Sequence, residues 1–521
     1  MHEVMRIGTQ YEDHTTGSHC AFQMAGAWLQ TCLTSHKKCV KANNLPLPTL
    51  LPTRVIDVSI YLDPGFVRLH SGSAQPGIYF TLSYRWNPTK AASFQTTTSN
   101  ESKYSKRIRI ESLPKVMQDA ISITRRFGVQ YLWIDALCII QDSPRDWEQE
   151  AKEMATIYKN SLLTIAVAAD GNGDTQGCFR DRNRSQPRPL ITHSPYPCGD
   201  TKYIFADRRM TKDGVRPPNE LDTRAWVLQE QLLSPRVLTY SNQELYWDCK
   251  TLNASETFPN GIPGFYDADL QLPDERLFKE AILNTSNTKI SQSRFYTSWM
   301  KIAEAYSERQ MTKETDKLAA LLGVVKEAAI VFDDSFVVGL WRKRLMPDLL
   351  WWVRSPDKSK RPTAFSAPSW SWLSLNAAIS YELGGFDTAD EIDYCIKSYD
   401  VVAELNPTVA HLSGQLMVEG KLFPLRPEGH SDALRVPGQA PEPSWMEDIE
   451  GTDASQVRCL IVAVSTHYIY ALGLLLVGGD LYKRVGLVHW RNDPERVGWD
   501  RVKGKWQVSV EKRELKKITI V

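Results

Sequence analysis

The sequence lacks three features that would restrict its class at once: an excess of one charge, a long apolar run and an apolar stretch of secretory type among its first residues. Its 521 residues carry a formal net charge of +1, so no chain-wide field favours nucleic acid or an anionic membrane. Residues 1–14 contain no apolar stretch of secretory type. The most apolar late run, Tyr468–Gly478, is too short to span a bilayer. We therefore expect a cytoplasmic protein that binds neither nucleic acid nor membrane.

Cysteine is present, but it is too scattered for a disulfide scaffold. The nine cysteines are odd in number and far apart in a long chain, which predicts reduced thiols. Three metal-capable side chains, Cys32, His36 and Cys39, recur at helical spacing. Zinc needs a fourth ligand, for which only Cys20 or His19 is near in sequence. A packed helix with buried thiols is the alternative, so we assign no metal site from the sequence.

Apolar runs and amphipathic stretches alternate through the first half of the chain. The repeated strand and helix units predict an α/β fold: a mostly parallel sheet flanked by helices. The predicted strands are Ile78–Tyr84, Val129–Ile140, Leu162–Ala169 and Arg236–Tyr246, and the helices between the first three are Leu113–Phe127 and Asp146–Asn160.

The character of the sequence changes after residue 258, where helical patterns precede short strands. The aromatic run Leu340–Val353 is predicted to be a helix broken at Pro347. We expect an α+β C-terminal region without a catalytic or metal constellation. The predicted segments are an N-terminal segment at 1–75, an α/β domain at 76–260, a helical region at 261–375 and a β-rich region at 376–521.

Polar and aromatic side chains end the first predicted strand. Ser83, Tyr84 and Trp86 stand at its carboxyl end, and Asp135 lies inside the next apolar run. In open α/β sheets, ligands bind outside the carboxyl ends of the strands, so these residues are candidates for ligand contact. An alternative stays open for each group. The aromatic residues form a corner that packs against the core, and Asp135 forms a structural pair with another polar group because a lone buried carboxylate is costly.

The stretch Leu221–Cys249 holds the densest set of candidate residues. Arg224, Trp226 and Glu230 stand at the head of a short predicted helix, on which Trp226 and Glu230 share a face. An acid beside an aromatic ring and an arginine predicts a pocket. The alternative is a surface helix on which Glu230 pairs with a nearby arginine. Glu150 is a second candidate acid, with a salt-bridged helix charge as its alternative.

Five motifs follow one another along the chain: LSYRW at Leu82–Trp86, YLWIDALCIIQD at Tyr131–Asp142, DWEQEAKEMATIY at Asp146–Tyr158, TRAWVLQEQLLSPRVL at Thr223–Leu238 and YWDC at Tyr246–Cys249. Together they resemble the heterokaryon-incompatibility (HET) domain family of filamentous fungi. That resemblance implies a protein of nonself recognition, associated with growth arrest and cell death when unlike cells fuse, and it implies self-association or protein partners.

A weaker resemblance concerns mechanism. The order of elements is similar to that of a TIR domain, in which a first strand ends in Ser-Tyr and a later helix carries Trp-x-x-x-Glu, as Trp226 to Glu230 does here. The resemblance implies that Glu230 assists cleavage of NAD at the nicotinamide–ribose bond, with NAD as substrate and no cofactor. A non-catalytic module that binds protein partners is the alternative. The residues predicted to bind the substrate are Ser83, Tyr84, Trp86, Asp135, Arg224 and Trp226.

Overall fold

The chain forms two compact units, residues 1–288 and 289–521. The predicted division into four segments stays a prediction. Among the residues that the structure describes, no helix is both long and apolar enough to cross a membrane. A computed structural model describes residues 14–39, 48–59, 63–85, 94–168, 177–182, 190–193, 202–205, 219–261, 275–283, 292–364, 366–381, 392–403, 412–425, 444–465, 468–491, 499–502, 505–508 and 515–521.

Local sequence signals set the starts of the main helices in the first unit. The Ser18 hydroxyl accepts a hydrogen bond from the Ala21 amide at 3.1 Å and caps the first helix. Ser143 caps a later helix in the same way, and Pro144 occupies its first position. The described helices are α1 His19–Thr34, α2 Glu101–Tyr104, α3 Lys115–Arg126, α4 Asp135–Cys138, α5 Pro144–Asn160, α6 Ala225–Leu233 and α7 Glu275–Leu283, with 3₁₀ turns at Ile110–Ser112 and Glu220–Thr223.

Short strands of the first unit build one large sheet and two separate antiparallel pairs. The pairs are β1 with β4 and β9 with β10, and the large sheet has the order β13-β12-β11-β8-β5-β7-β2-β3-β6. The strands are β1 Thr49–Leu50, β2 Arg54–Asp57, β3 Phe66–Ser71, β4 Pro76–Gly77, β5 Tyr79–Ser83, β6 Ile108–Arg109, β7 Tyr131–Trp133, β8 Leu163–Val167, β9 Leu190–His193, β10 Lys202–Phe205, β11 Arg236–Tyr240, β12 Leu245–Cys249 and β13 Asn253–Ser255.

The centre of the large sheet is parallel. Strands β7, β5, β8 and β11 pair in parallel, with Thr81 of β5 opposite Trp133 of β7 and Thr164 of β8. Every residue of β5, β8 and β11 is buried, as expected for a sheet covered on both faces. The chain visits these four strands in the order second, first, third and fourth across the sheet. Strands β5 and β8 therefore flank the switch point at which such sheets bind ligands.

The predicted α/β class is confirmed, but the prediction of a mostly parallel sheet is wrong: antiparallel strands flank the parallel centre on both sides, so the sheet is mixed. Two predicted strands are wrong in extent. The run Val129–Ile140 is a strand only over Tyr131–Trp133 and then forms the helical turn α4. The run Arg236–Tyr246 bends at residues 241–244 into the antiparallel pair β11 and β12. A continuous apolar run does not distinguish a buried strand from a strand followed by a buried helical turn.

The second unit combines two long helices with a second nine-stranded sheet. That sheet has the order β18-β23-β24-β25-β28-β20-β19, with β21 against β23 and β22 against β25. The helices of the second unit are α8 Gln292–Ser307, α9 Asp316–Phe332 and α10 Leu345–Asp348, with 3₁₀ turns at Arg342–Arg344, Pro356–Lys358, Trp372–Ser374 and Ala454–Gln456. Its strands are β14 Phe336–Val337, β15 Leu340–Trp341, β16 Trp351–Val353, β17 Ile379–Tyr381, β18 Ile392–Tyr394, β19 Ser398–Ala403, β20 Gly414–Gly420, β21 Leu422–Pro424, β22 Ser444–Glu447, β23 Arg458–Ser465, β24 Tyr468–Gly478, β25 Leu481–Arg491, β26 Trp499–Val502, β27 Lys505–Val508 and β28 Lys516–Ile520.

The helix predicted for Leu340–Val353 is wrong. The segment forms two strands, β15 and β16, on either side of a 3₁₀ turn and the short helix α10. Trp341 and Trp351 are fully buried in this segment. Their burial shows why helical periodicity misled: apolar residues that are buried on all sides carry little information about the backbone.

Candidate functional site

Helix α6 carries Glu230 and is buried on nearly all sides. Of its nine residues, only Trp226 and Gln231 keep appreciable exposure. A helix this apolar must lie inside the domain rather than on its surface, and α6 packs against α5 and α7. A small core of Ala166, Leu221, Val227 and Val237 joins it to β8 and β11. The surface position in the alternative for Glu230 is therefore wrong, whereas the nearby arginine is present as Arg224.

A line of buried hydroxyls fixes α6 to the sheet. The Ser234 hydroxyl donates to the Glu230 carbonyl oxygen at 2.5 Å and lies 2.5 Å from the Thr164 hydroxyl. The Thr164 hydroxyl lies 2.7 Å from that of Thr81. Because the single Ser234 proton points at Glu230, Thr164 must donate to Ser234, and Thr81 must donate to Thr164. The Glu230 backbone is thus held relative to the central strands β5 and β8.

The Glu230 side chain lies in a polar cluster at the carboxyl end of β5. Only 7% of the residue is exposed. Burial, with a smaller contribution from the nearby negative charge of Asp135, raises the pKa of its carboxyl to about 7. The Arg224 guanidinium and the nearby Ser83 and Tyr158 hydroxyls oppose that rise in pKa. The carboxyl therefore titrates near neutral pH, where it can accept or release a proton.

Asp135 approaches the same cluster from the end of β7. Its Oδ1 accepts a hydrogen bond from the Ala136 amide at 2.7 Å, as the first residue of α4. Burial raises the pKa of its carboxyl, whereas Arg224, the Ala136 amide and the Tyr84 hydroxyl lower it. Two acids therefore share one arginine. This arrangement of like charges around a single cation is typical of functional sites.

Arg224 joins the parts of the cluster. Its Nη1 donates to the Tyr84 carbonyl oxygen at 2.5 Å, which connects the chain before α6 to the end of β5. Its charge acts on both Glu230 and Asp135. The arginine therefore has a structural contact and an electrostatic effect together, and its predicted contact with the substrate stays a prediction.

The structure brings together five of the predicted site residues, although they come from three distant parts of the sequence: Ser83, Tyr84, Asp135, Arg224 and Glu230. Trp226 is partly exposed on the same helix, and Trp86 lies outside the described residues.

Glu150, the second candidate acid, lies elsewhere. It is 1% exposed, with its Oε1 3.9 Å from the Arg54 Nη2, which also binds Asp146 at 2.5 Å. This is the salt-bridged alternative that the sequence left open.

Tyr158 is the member of the cluster that the sequence did not single out. It lies on the inner stripe of α5, is 1% exposed, and packs edge-on against Trp133 with ring centroids 5.7 Å apart. A tyrosine in an apolar helix stripe is usually a core residue. Only the proximity of α5 and α6, a tertiary feature, shows that its hydroxyl meets a carboxylate.

One comparison with known proteins identifies the domain. Residues 79–230 match the family model described as heterokaryon incompatibility protein (HET). The chain carries a HET domain. No curated protein and no solved structure matches the chain. The HET match begins in β5 and ends at Glu230, so the polar cluster lies within it from Ser83 onwards. The HET motifs at the end of β5, around β7, in α5 and in α6 therefore meet at one place.

Proposed function

We propose that this HET domain cleaves NAD at the bond between nicotinamide and ribose, and thereby acts in nonself recognition and programmed cell death. The single observation that supports the proposal is the environment of Glu230. Its side chain is a nearly buried carboxyl with a pKa of about 7, beside the hydroxyls of Ser83 and Tyr158 and the second acid, Asp135. The site's place next to the sheet's switch point agrees with it.

The chemistry needs one ionised carboxylate. When the bond breaks, nicotinamide leaves with the bonding electron pair and positive charge develops on the ribose. A carboxylate stabilises this cation, as in glycoside hydrolysis, and accepts a proton from the water that attacks the sugar. The Ser83 and Tyr158 hydroxyls favour the ionised form of Glu230. Arg224 and Asp135 set the local charge, and the partly exposed Trp226 offers an aromatic surface for a base.

The test is NAD turnover by the purified chain, followed as release of nicotinamide and ADP-ribose. Glu230→Gln keeps the volume and removes the charge, so turnover should fall by at least about 100-fold while the fold is retained. Glu220→Gln is the matched control, because Glu220 lies in the adjoining 3₁₀ turn and pairs with Arg85 at an exposed position. It should retain full turnover.

The pH dependence gives a second readout. Because the ionised carboxylate is the active form, turnover should rise with pH through the pKa of about 7. Equal turnover by wild type and Glu230→Gln contradicts the proposal. So does the absence of turnover from folded wild-type protein under conditions in which it self-associates.

A second function, a non-catalytic signalling module, is favoured by the same low exposure of Glu230. In that function the carboxylate anchors α6, and the domain acts by self-association or by binding protein partners. Glu230→Gln would then weaken self-association, measured by light scattering, and no variant would consume NAD.

A further inference from the structure

Three metal-capable side chains of the N-terminal segment meet a fourth from much later in the chain. Cys32 lies in the last turn of α1, and His36 and Cys39 follow just beyond its end. Cys249 ends β12. The Sγ atoms of the three cysteines and a ring nitrogen of His36 all lie within 4.8 Å of one another. All four residues lie outside the region 79–230 matched by the HET family model.

The distances suit a tetrahedral metal ion. The Cys249 Sγ and His36 Nδ1 atoms are 3.5 Å apart. With zinc–sulfur and zinc–nitrogen bonds of about 2.3 and 2.05 Å, tetrahedral angles give roughly 3.6 Å between such atoms and roughly 3.8 Å between two sulfurs. The Cys249 and His36 donors already have this spacing, and the other donor pairs, all within 4.8 Å, need to contract by at most about 1 Å around one ion.

The thiols are also supplied with hydrogen-bond donors of the kind that metal-bound thiolates need. The Leu252 amide donates to the Cys249 Sγ at 3.3 Å, and the Arg236 Nε donates to the Cys32 Sγ at 3.2 Å. The Thr251 hydroxyl lies 3.4 Å from the Cys39 Sγ. Three thiolates around a divalent ion leave one net negative charge, which the guanidinium of Arg236, itself only 8% exposed, offsets.

We infer that Cys32, His36, Cys39 and Cys249 bind one zinc ion in a closed structural site. Three sulfurs and one imidazole nitrogen in a tetrahedral arrangement are a donor set that zinc prefers, and four protein ligands leave no position for substrate. Cys20 and His19, the metal-capable residues nearest in sequence, are exposed and lie outside the cluster; Cys249 supplies the fourth donor.

The zinc site joins helix α1 to the end of the β11–β12 hairpin. Helix α1 packs against β12, and the Trp28 indole of α1 donates to the Pro259 carbonyl oxygen at 2.8 Å. The ion would cross-link these segments across more than two hundred residues of sequence. Because such a site rarely exists in the unfolded chain, the binding free energy of zinc contributes to folding.

The test is the zinc content of the full chain, purified with its thiols reduced. Wild type should hold about one zinc ion per chain, measured by mass spectrometry of the metal. Cys249→Ser should hold less than about a tenth of that amount. Cys20→Ser is the matched control, because Cys20 is an exposed thiol on the same helix outside the cluster. It should keep the wild-type content.

A second measurement covers the case in which Cys249→Ser does not fold. Zinc is removed from wild type with a chelator and replaced by Co²⁺, which should bind in equal amount and show thiolate-to-cobalt charge transfer with the visible bands of tetrahedral cobalt. Arg236→Gln should bind zinc about 10-fold more weakly than wild type. Reduced wild type that neither contains zinc nor binds added Co²⁺ overturns the inference. So does folded Cys249→Ser with the wild-type zinc content.

Discussion

Two acids, Glu230 in the first unit and Asp448 in the second, are both buried, but different groups surround their carboxyls. Glu230 is 7% exposed and Asp448 is 1% exposed. Burial is the largest influence on both carboxyls and raises the pKa of each. The two sites differ in what surrounds the charge.

Asp448 has a dedicated partner. Its Oδ2 lies 3.2 Å from the Nε of Arg484, and that fully buried guanidinium also donates to the carbonyl oxygens of Leu349 and Trp351. The guanidinium carbon lies 3.4 Å from the centre of a Trp351 ring. Every part of this pair is satisfied by groups that hold the second unit together, as a structural buried ion pair requires.

Glu230 instead shares its cation with a competitor. Arg224 acts on Glu230 and Asp135 together, and the negative charge of Asp135 raises the pKa of Glu230. An acid held beside a like charge is costly to ionise, and folding alone gains nothing from that cost. The comparison therefore predicts that removing the paired acid destabilises the protein, whereas neutralising the shared acid does not.

The largest expected effect comes from Asp448→Ala. The change leaves the Arg484 guanidinium buried without its carboxylate, which should cost about 3–5 kcal/mol of unfolding free energy. Urea unfolding of the full chain measures the loss. Asp480→Ala, at an exposed turn between β24 and β25, is the control and should stay within about 0.5 kcal/mol of wild type. A loss below about 1 kcal/mol for Asp448→Ala would show that the ion pair is not structural.

A smaller effect, of opposite sign, is expected from Glu230→Gln. Because folding raises the pKa of Glu230 from 4.5 to about 7, the folded state retains a proton that the unfolded state releases. The stability contributed by this group is fully present below the unfolded pKa, falls as pH rises through that window, and is lost above about pH 7. A glutamine has no such dependence. Relative to wild type, the variant should therefore gain up to about 3 kcal/mol between about pH 4 and pH 8.

Unfolding of both proteins by urea across that pH range measures the gain as a difference, in which the titration of unchanged groups cancels. A difference that stays constant with pH would mean that Glu230 titrates normally, and its contrast with Asp448 would then fail.

The strongly periodic elements of the fold were predictable, and the uniformly buried ones were not. The amphipathic stripes of α3 and α5 and the apolar strands β5 and β8 fall where the sequence predicts them. Val129–Ile140 and Leu340–Val353 are buried on several sides, so their apolar residues show no period that fixes the backbone. The turn between β11 and β12 rests on Ser241, a weaker signal than glycine or proline.

Parts of the candidate site follow from topology and parts do not. Parallel strands end at one edge of a sheet, so the sequence could place Ser83, Tyr84 and Asp135 near one another. Tyr158 and Cys249 required knowledge of which helix and which hairpin pack together, which no local pattern contains. Local chemistry identified the candidate side chains, and tertiary packing selected among them.

The smallest expected effects come from two neighbours of Glu230 and have opposite signs. The Ser83 hydroxyl lowers the pKa of Glu230, so Ser83→Ala should move its titration to higher pH. The Asp135 charge raises that pKa, so Asp135→Asn should move the titration to lower pH. Each shift should be about one pH unit, which corresponds to about 1.4 kcal/mol of interaction with the ionised carboxylate.

For Ser83→Ala and for Asp135→Asn, the unfolding free energy is measured across pH. Each is compared with the double variant that also carries Glu230→Gln, so that the difference contains only the titration of Glu230. Opposite shifts would show that Glu230 is balanced between a donor and a like charge, in contrast to the paired Asp448. Shifts in one direction would mean that both substitutions act through general loosening of the site. The electrostatic difference between the two buried acids would then have no support.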